Sequence, residues 1–338
     1  ILGPILFLLY INDLPGASDF YSLLFADDTA LLLTDENLET LMKKGQEQLN
    51  KVHNFFRTNK LSLNPDKTKF MIISHSNLSN NFQTSLLINE KQIERIKNTS
   101  TMPAYKYLGI FIDPEFNFKY HINYVCKKLS RALFMLKRVK NFLPSKSLIN
   151  IYFALFHCHL LYGFEIWSCF QSSQLNQIVK LQKKAIRIVK NLKYNEHTTT
   201  SFVEMETLPF DLLANFSKLN FMHQSLNKKS PVILHDLWQK NRIRRALAGD
   251  YTFELRDDDD IFTPPFRINQ TSLFPLSNLP NLWNSLPKEL TFIANPFEFK
   301  TNLLKHLLTE LISRFTCSRV MCPFCNANPI EKIGRAHV

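Results

Sequence analysis

Apolar and polar positions follow two regimes along this chain. Before about residue 113, short apolar runs are broken by acidic, Asn or Pro turns. Beyond it, apolar residues recur at helical spacing. Pro4 suits a first helical turn, so Ile5 to Asn12 is predicted as a buried helix ended by Pro15. Leu23 to Leu33 places two apolar runs around Asp27 and Asp28, the pattern of two buried strands joined by a tight turn. Between Asn37 and Asn59, Leu38, Leu41, Met42, Leu49, Val52 and Phe56 share one face of a helix. Leu61 to Ile73 reads as strand, polar turn, strand. Leu86 to Ile88 and Tyr107 to Ile112 read as further strands, with Gly109 allowing close backbone approach.

From His121 to Leu143, Ile122, Val125, Leu129, Leu133 and Leu136 form one apolar stripe. Lys127, Arg131 and Arg138 fall opposite it on a 3.6-residue wheel, as a solvated face or as a surface for an anionic partner. Two more helical stretches, Ser147 to Phe164 and Ser173 to Leu192, follow; the second carries Lys180, Lys183, Lys184, Arg187 and Lys190. From Thr198 the pattern is less regular. Asp257 to Asp260 reads as a solvated loop, because like charges at that density repel. Pro264, Pro265, Pro275, Pro280 and Pro287 mark an extended connection before a helix over Phe297 to Ile312. The expected class is α+β, sheet and helix first and mainly helix afterwards.

Composition narrows the partners. With 338 residues, 45% of them hydrophobic, the chain can build two or three domains with real cores. A net charge of +12 favours an anionic partner, nucleic acid being the commonest, over a merely basic surface. Six cysteines without a signal peptide fit a reducing, intracellular compartment rather than a disulfide framework. The apolar N-terminal run is cut by Asn12, Asp13 and Pro15, short of the ~20 residues of a membrane span. It has neither an initiating Met nor a basic leader, so it is not read as a secretory signal, and the chain reads as starting within a longer one.

The candidate chemistry begins at Asp27 and Asp28. Asp tolerates turn conformations, so both can be simple turn formers. Equally, a tip bearing two carboxylates offers the oxygen ligands that Mg²⁺ takes together with substrate phosphates. Five features, taken in chain order, bear on the choice. Leu2-Gly3-Pro4-Ile5-Leu6-Phe7 through Asp13-Leu14-Pro15 resembles the template-and-nucleotide-positioning motif of non-LTR (LINE-type) retrotransposon reverse transcriptases. Phe25-Ala26-Asp27-Asp28 is similar to their catalytic aromatic-x-Asp-Asp motif. Leu63-Asn64-Pro65-Asp66-Lys67-Thr68 resembles their Asn-x-x-Lys-Thr motif, Tyr107-Leu108-Gly109-Ile110 their primer grip, and Trp283-Asn284-Ser285-Leu286-Pro287 a recurrent segment beyond the thumb.

The resemblance implies a partial polymerase palm over residues 1–112, an antiparallel sheet with helices. It implies a helical thumb over 113–197 and a C-terminal region over 198–332. It further implies an RNA template, a DNA primer or duplex, dNTP substrates and Mg²⁺. Nucleotidyl transfer with two ions about 3.5–4 Å apart needs more than two adjacent carboxylates. The resemblance places a third upstream of the Leu-Gly-Pro segment, and neither Asp13 nor Asp19 is a substitute. On that ground this chain alone is expected to be inactive, with a non-catalytic nucleic-acid-binding remnant as the alternative and a relic without a stable product as a third reading. Lys67 is the candidate for helping pyrophosphate leave, with Lys69 the alternative. Gly3 and Pro4 are implied in nucleotide positioning, and Tyr107, Leu108 and Gly109 in the primer path. Lys127, Arg131 and Arg138 are the candidate duplex contacts.

Cys322-Pro323-Phe324-Cys325 has the spacing of half a zinc site, but the expected later His and Cys do not follow Glu331. Zn²⁺ therefore lacks support in this chain. Cys126, Cys158 and Cys169 lie in apolar helical sequence and read as core. The closing Ile333-Gly334-Arg335-Ala336-His337-Val338 looks like translated adapter sequence and is set apart as foreign. Within the cell, nucleus and cytoplasm both fit.

Overall fold

A computed structural model describes residues 2–74, 84–97, 100, 102–169, 175–235, 238, 260–263 and 275–314. Two compact units divide the chain, 1–121 and 122–338. The class is α+β.

The first unit opens with α1 (Leu2–Ile11) and a 3₁₀ turn at Leu14–Ala17. β1 (Tyr21–Phe25) and β2 (Asp28–Leu32) form the predicted hairpin, in the antiparallel register Tyr21 to Leu32 and Phe25 to Asp28. α2 (Leu38–Thr58) matches its periodicity. Asn37 caps it by accepting from the N–H groups of Glu39 and Thr40. Ile11, Leu14 and Val52 make the core beneath the hairpin, with Leu24 and Leu31 packed against them.

The expected burial is only half realised. Of α1, Ile11 alone is buried, while Leu2, Ile5, Leu6, Leu8 and Leu9 are exposed. In the hairpin, Leu24 and Leu31 face the core, but Tyr21, Leu23, Phe25 and Leu32 lie on the outer face and stay exposed. Alternation sends successive strand residues to opposite faces, and among the described residues nothing covers the second one.

Four two-stranded ladders stand where one antiparallel sheet is expected. β3 (Lys69–Met71) pairs in parallel with β6 (Glu94–Ile96), and β4 (Leu87–Ile88) pairs with β5 (Lys91–Gln92). Residues 61–64 are not a strand. Tyr107 to Ile112 is not one strand but the centre of a hairpin between β7 (Tyr105–Tyr107) and β8 (Ile110–Ile112). Leu108 at φ 45 and Gly109 at φ 86 form its two-residue turn; positive φ at both central positions is what a tight hairpin of this twist needs.

The second unit is helical. α3 (Lys119–Val139), which begins at the end of the first unit, buries Ile122, Val125, Leu129 and Leu136 as its stripe predicts. α4 (Ser145–Ile151) runs through a π turn at Tyr152–His157 into α5 (Cys158–Leu161), and α6 (Phe164–Trp167) follows. α7 (Leu175–Val189) buries Ile178, Leu181, Ile186 and Val189. Cys126 and Cys169 are core, but Cys158 is exposed, because it lies on the outer side of its helix.

The region from Thr198 is more regular than its sequence pattern. α8 (Thr199–Glu204) leads to α9 (Phe210–Leu226), a helix buried on nearly all sides, from Leu212 and Leu213 to Lys218, Met222 and His223. A helix enclosed all round carries no polar face, so its sequence shows no 3.6-residue alternation. The proline-marked connection is also partly helical, as α10 (Pro275–Asn284) and α11 (Lys288–Thr291).

α12 (Pro296–Ser313) then packs on α9, where the His223 ring stacks on Phe299 with centroids 4.0 Å apart and Trp283 stacks on Phe299 at 5.7 Å. Asn284 clamps Ile261 by accepting from its N–H and donating to its carbonyl, both at 2.9 Å. The Trp-Asn-Ser-Leu-Pro segment thus owes its composition to packing and backbone pairing. Asp260 pairs with Lys288 at 2.6 Å, whereas Asp257 to Asp259, Pro264, Pro265 and residues 315–338 lie outside the described residues.

Burial pushes His121 and His157 down to about 4. His121 Nδ1 accepts from the Phe111 N–H at 3.2 Å, which requires the neutral ring. Unfolding returns both rings to water, where they titrate near 6.5. Their contribution to stability is therefore complete above about 6.5 and is lost as pH falls toward 4, by at most roughly 3 kcal/mol per ring. Asp35, held low by Lys44, acts only below its ordinary value of 3.8. Denaturant melts between pH 7 and pH 4.5 are expected to show this loss, and a flat profile would contradict the buried neutral rings.

Candidate active site

The tip of the first hairpin is a two-residue turn, Ala26 and Asp27, closed by the Phe25 to Asp28 pair. The left-handed conformation falls on Ala26, at φ 51. A non-glycine residue there costs on the order of 1 kcal/mol. The turn's unusual backbone angle is thus not what selects Asp, and Asp28 is already in regular strand. Both carboxylates are exposed, and among the described residues neither takes a hydrogen bond or an ion pair. Two adjacent, unpaired hard-oxygen ligands on a fixed turn suit a divalent cation. Among the described residues no third His, Cys, Asp or Glu joins them. Asp19 is occupied by Gln48 at 2.7 Å and Lys51 at 3.2 Å, and the carbonyl of Asp13 accepts from Gly16 in the 3₁₀ turn.

Register places Asp28 on the outer strand face with Leu23 and Phe25. Tyr107, at the second hairpin, is close enough to feel that carboxylate. Its phenol is raised above the usual range, first by burial and then by the negative charge of Asp28. The structure therefore relates Tyr107 to the acidic tip. Leu108 and Gly109 form the corner beside it.

The Asn64 to Thr68 segment is a side-chain-closed turn. Asn64 Oδ1 accepts from the N–H of Asp66 at 3.0 Å, and its carbonyl accepts from the Thr68 N–H and hydroxyl. Lys67 is exposed at this turn and makes no ion pair among the described residues. Lys69 instead pairs with Glu94 at 2.7 Å across the β3–β6 ladder. Of the two lysines, only Lys67 keeps an uncommitted charge.

Gly3 and Pro4 lie in the exposed first turn of α1, where a Cβ on Gly3 would meet nothing within 4 Å. Packing does not require glycine there. Lys127, Arg131 and Arg138 are exposed on α3 and carry no ion pair among the described residues; Arg138 lies over the Phe134 ring at 5.0 Å. Phe134 is a member of this surface that charge spacing alone misses, although its seven-residue offset from Lys127 marks it. Cys322 and Cys325 lie outside the described residues.

The chain is thus of the α+β class, with two adjacent unpaired carboxylates at the tip of its first hairpin. Residues 1–112 match the model of the reverse transcriptase (RNA-dependent DNA polymerase) family. The chain is 24% identical over 276 residues to the RNA-directed DNA polymerase from mobile element jockey of Drosophila melanogaster, covering 75% of this chain and 29% of that protein. It is 26% identical over 211 residues to the probable RNA-directed DNA polymerase from transposon BS of the same organism, covering 59% and 22%. The match to the retrovirus-related Pol polyprotein from type-1 retrotransposable element R1 of Bradysia coprophila is 26% identical over 222 residues, covering 63% and 21%. The resemblance to non-LTR retrotransposon polymerases therefore stands, and the aligned part is less than a third of each relative. No solved structure matches the chain.

Replacing Asp28 by Asn removes one of the two influences on Tyr107. Its pKa is expected to fall part of the way back toward 10, burial keeping the remainder. Ultraviolet or NMR titration reads this directly, and an unchanged Tyr107 would show that the two groups do not sense each other.

Proposed function

We propose that this chain is the palm, thumb and downstream part of a retrotransposon RNA-directed DNA polymerase. Such an enzyme copies an RNA template from the 3′-hydroxyl of a DNA primer with dNTP substrates. The observation that carries this reading is the pair of unpartnered carboxylates at a strand-fixed tip, inside the segment that matches the reverse transcriptase family.

Asp27 and Asp28 would hold Mg²⁺, which supplies activation of the primer hydroxyl and stabilisation of the leaving pyrophosphate. Lys67 brings a proton or fixed positive charge to the phosphates, consistent with its freedom from ion pairing. Tyr107, Leu108 and Gly109 border the primer path, and Gly3 and Pro4 line the approach to template and nucleotide. The positive face of Lys127, Arg131 and Arg138 contacts duplex phosphates, as part of a thumb over residues 113–197 that follows the palm of 1–112. Recognition on that face is by shape and charge. Cys322 and Cys325 supply two zinc ligands at most. We place the protein in nucleus or cytoplasm, where its templates are. Among the described residues, no helix is long and apolar enough to cross a membrane.

A second reading, a nucleic-acid-binding remnant without catalysis, is favoured by one observation: among the described residues the carboxylate group has two members and not three. Primer extension separates the two. The 338-residue chain by itself is expected to extend no primer in Mg²⁺. Within a longer polypeptide that supplies the third carboxylate, Asp27→Ala or Asp28→Ala is expected to lower extension by more than about 100-fold, the upper end for loss of an outer-shell partner. Template-dependent synthesis by the isolated chain that Asp27→Ala abolishes would overturn the inactivity.

Duplex binding should persist in either case. It should weaken with salt at a logarithmic slope of about −0.9 per phosphate contacted, and Lys127→Ala/Arg131→Ala/Arg138→Ala should flatten that slope. Salt-independent binding would contradict the assignment of this face.

A further inference from the structure

The helical unit carries a second cationic feature just beyond Arg138, at the C-terminal end of α3. The loop between α3 and α4 and the end of α7 border an open recess of about 250 Å³, polar at Lys140, Asn141, Ser145, Lys190 and Asn191 and apolar at its other lining positions, Leu143 among them. Its two walls are tied together where Lys140 Nζ donates to Asn191 Oδ1 at 3.1 Å. Lys190 is neutralised by Glu204 at 2.6 Å, but Lys140 meets no carboxylate among the described residues. Lys146 and Lys193, close by in the chain, are exposed and have no ion pair among the described residues. Lys140 thus keeps an unneutralised charge at the recess, beside the side-chain amides of Asn141 and Asn191.

Two exposed aromatic residues neighbour its lining residues along the chain. Phe142, between the lining residues Asn141 and Leu143, is 84% exposed, and Tyr194, three residues beyond Asn191, is 82% exposed. Neither ring serves the core, and an exposed Phe has no polar tip to justify its place in water. Rings standing free beside a cationic recess suit a ligand that brings flat π-faces and phosphates together. A duplex hides its base faces in the stack, whereas a single strand offers them.

We propose that Lys140, Asn191, Phe142 and Tyr194 form a binding site for single-stranded nucleic acid, with the phosphate backbone in the recess and bases stacked on the two rings. This rests on the reading of the chain as a nucleic-acid-binding protein, but it assigns a site distinct from the duplex face of α3. The site would hold an unpaired strand near a duplex on that face.

The test uses the full 338-residue chain with labelled, unstructured oligo(U) and oligo(dT), and in parallel with an RNA–DNA duplex. Phe142→Ala and Tyr194→Ala are each expected to weaken single-strand binding by about fivefold or more, the lower bound for loss of one base–aromatic stack. Duplex binding should be unchanged. Lys127→Ala/Arg131→Ala/Arg138→Ala should do the reverse, so failure of the duplex-face assignment is seen separately. Comparing oligo(U) with oligo(dT) shows whether RNA or DNA is held. Both rings are exposed, so circular dichroism should report an intact fold. Single-strand binding that survives loss of both rings, parallel loss of single-strand and duplex binding, or no single-strand binding by the unaltered chain would each overturn the proposal.

Discussion

Asp113 holds the point at which this chain passes from ladders to helices. Its side chain is 5% exposed and accepts from the N–H groups of Glu115 at 3.2 Å, Asn117 at 3.1 Å and Phe118 at 2.8 Å. Those donors would otherwise be stranded in a tight loop where Phe116 and Phe118 both adopt positive φ. A buried carboxylate with several backbone donors is tolerated because charge-assisted hydrogen bonds offset its desolvation. On one side of it lies the Tyr107 corner. On the other, Phe118 is sealed in the core and α3 begins.

Electrostatic freedom is common to the candidate functional groups, whereas several charges near them are paired. Lys69, Lys91, Lys44 and Lys51 are all paired with carboxylates, and Asp19, Asp35 and Asp66 are the partners of the last three in some order. Asp27, Asp28, Lys67, Lys127, Arg131 and Arg138 are not paired among the described residues. Exposed pairs of this kind add little stability, on the order of 0–1 kcal/mol, so leaving the candidate charges unpaired costs the fold little. What it preserves is charge available to a cation or a phosphate. Ala26 at the acidic tip and Leu108 at the Tyr107 corner both hold left-handed backbone without being glycine, and strained turns recur at working sites.

Much of this architecture is legible in the residues. α2 and α3 each bury one stripe and expose the other, so a 3.6-residue period reports them with little ambiguity. The acidic hairpin is marked by its flanking apolar runs, and Lys67 by the Asn-Pro-Asp turn that precedes it. Other elements leave no such mark. α9 is enclosed by several helices and so lacks a polar face, and the prolines of 275–287 sit where helices begin or bend as readily as where they are absent. The Tyr107 to Ile112 run has strand composition throughout, and only the paired positive φ angles at Leu108 and Gly109 divide it into two.

The sequence by itself determined the class of the chain, the acidic tip, the basic face of α3 and the order in which they occur, because local periodicity and turn chemistry are properties of neighbouring residues. Tertiary structure decided which apolar residues are covered: Leu24 and Leu31 pack inward while Leu23 and Phe25 do not, a distinction a continuous apolar run cannot express. It also related Tyr107 to Asp28, residues separated by most of the first unit, and left Lys67 free while committing Lys69 to Glu94. Burial and charge pairing depend on what the rest of the chain brings alongside, and no window of sequence contains that information.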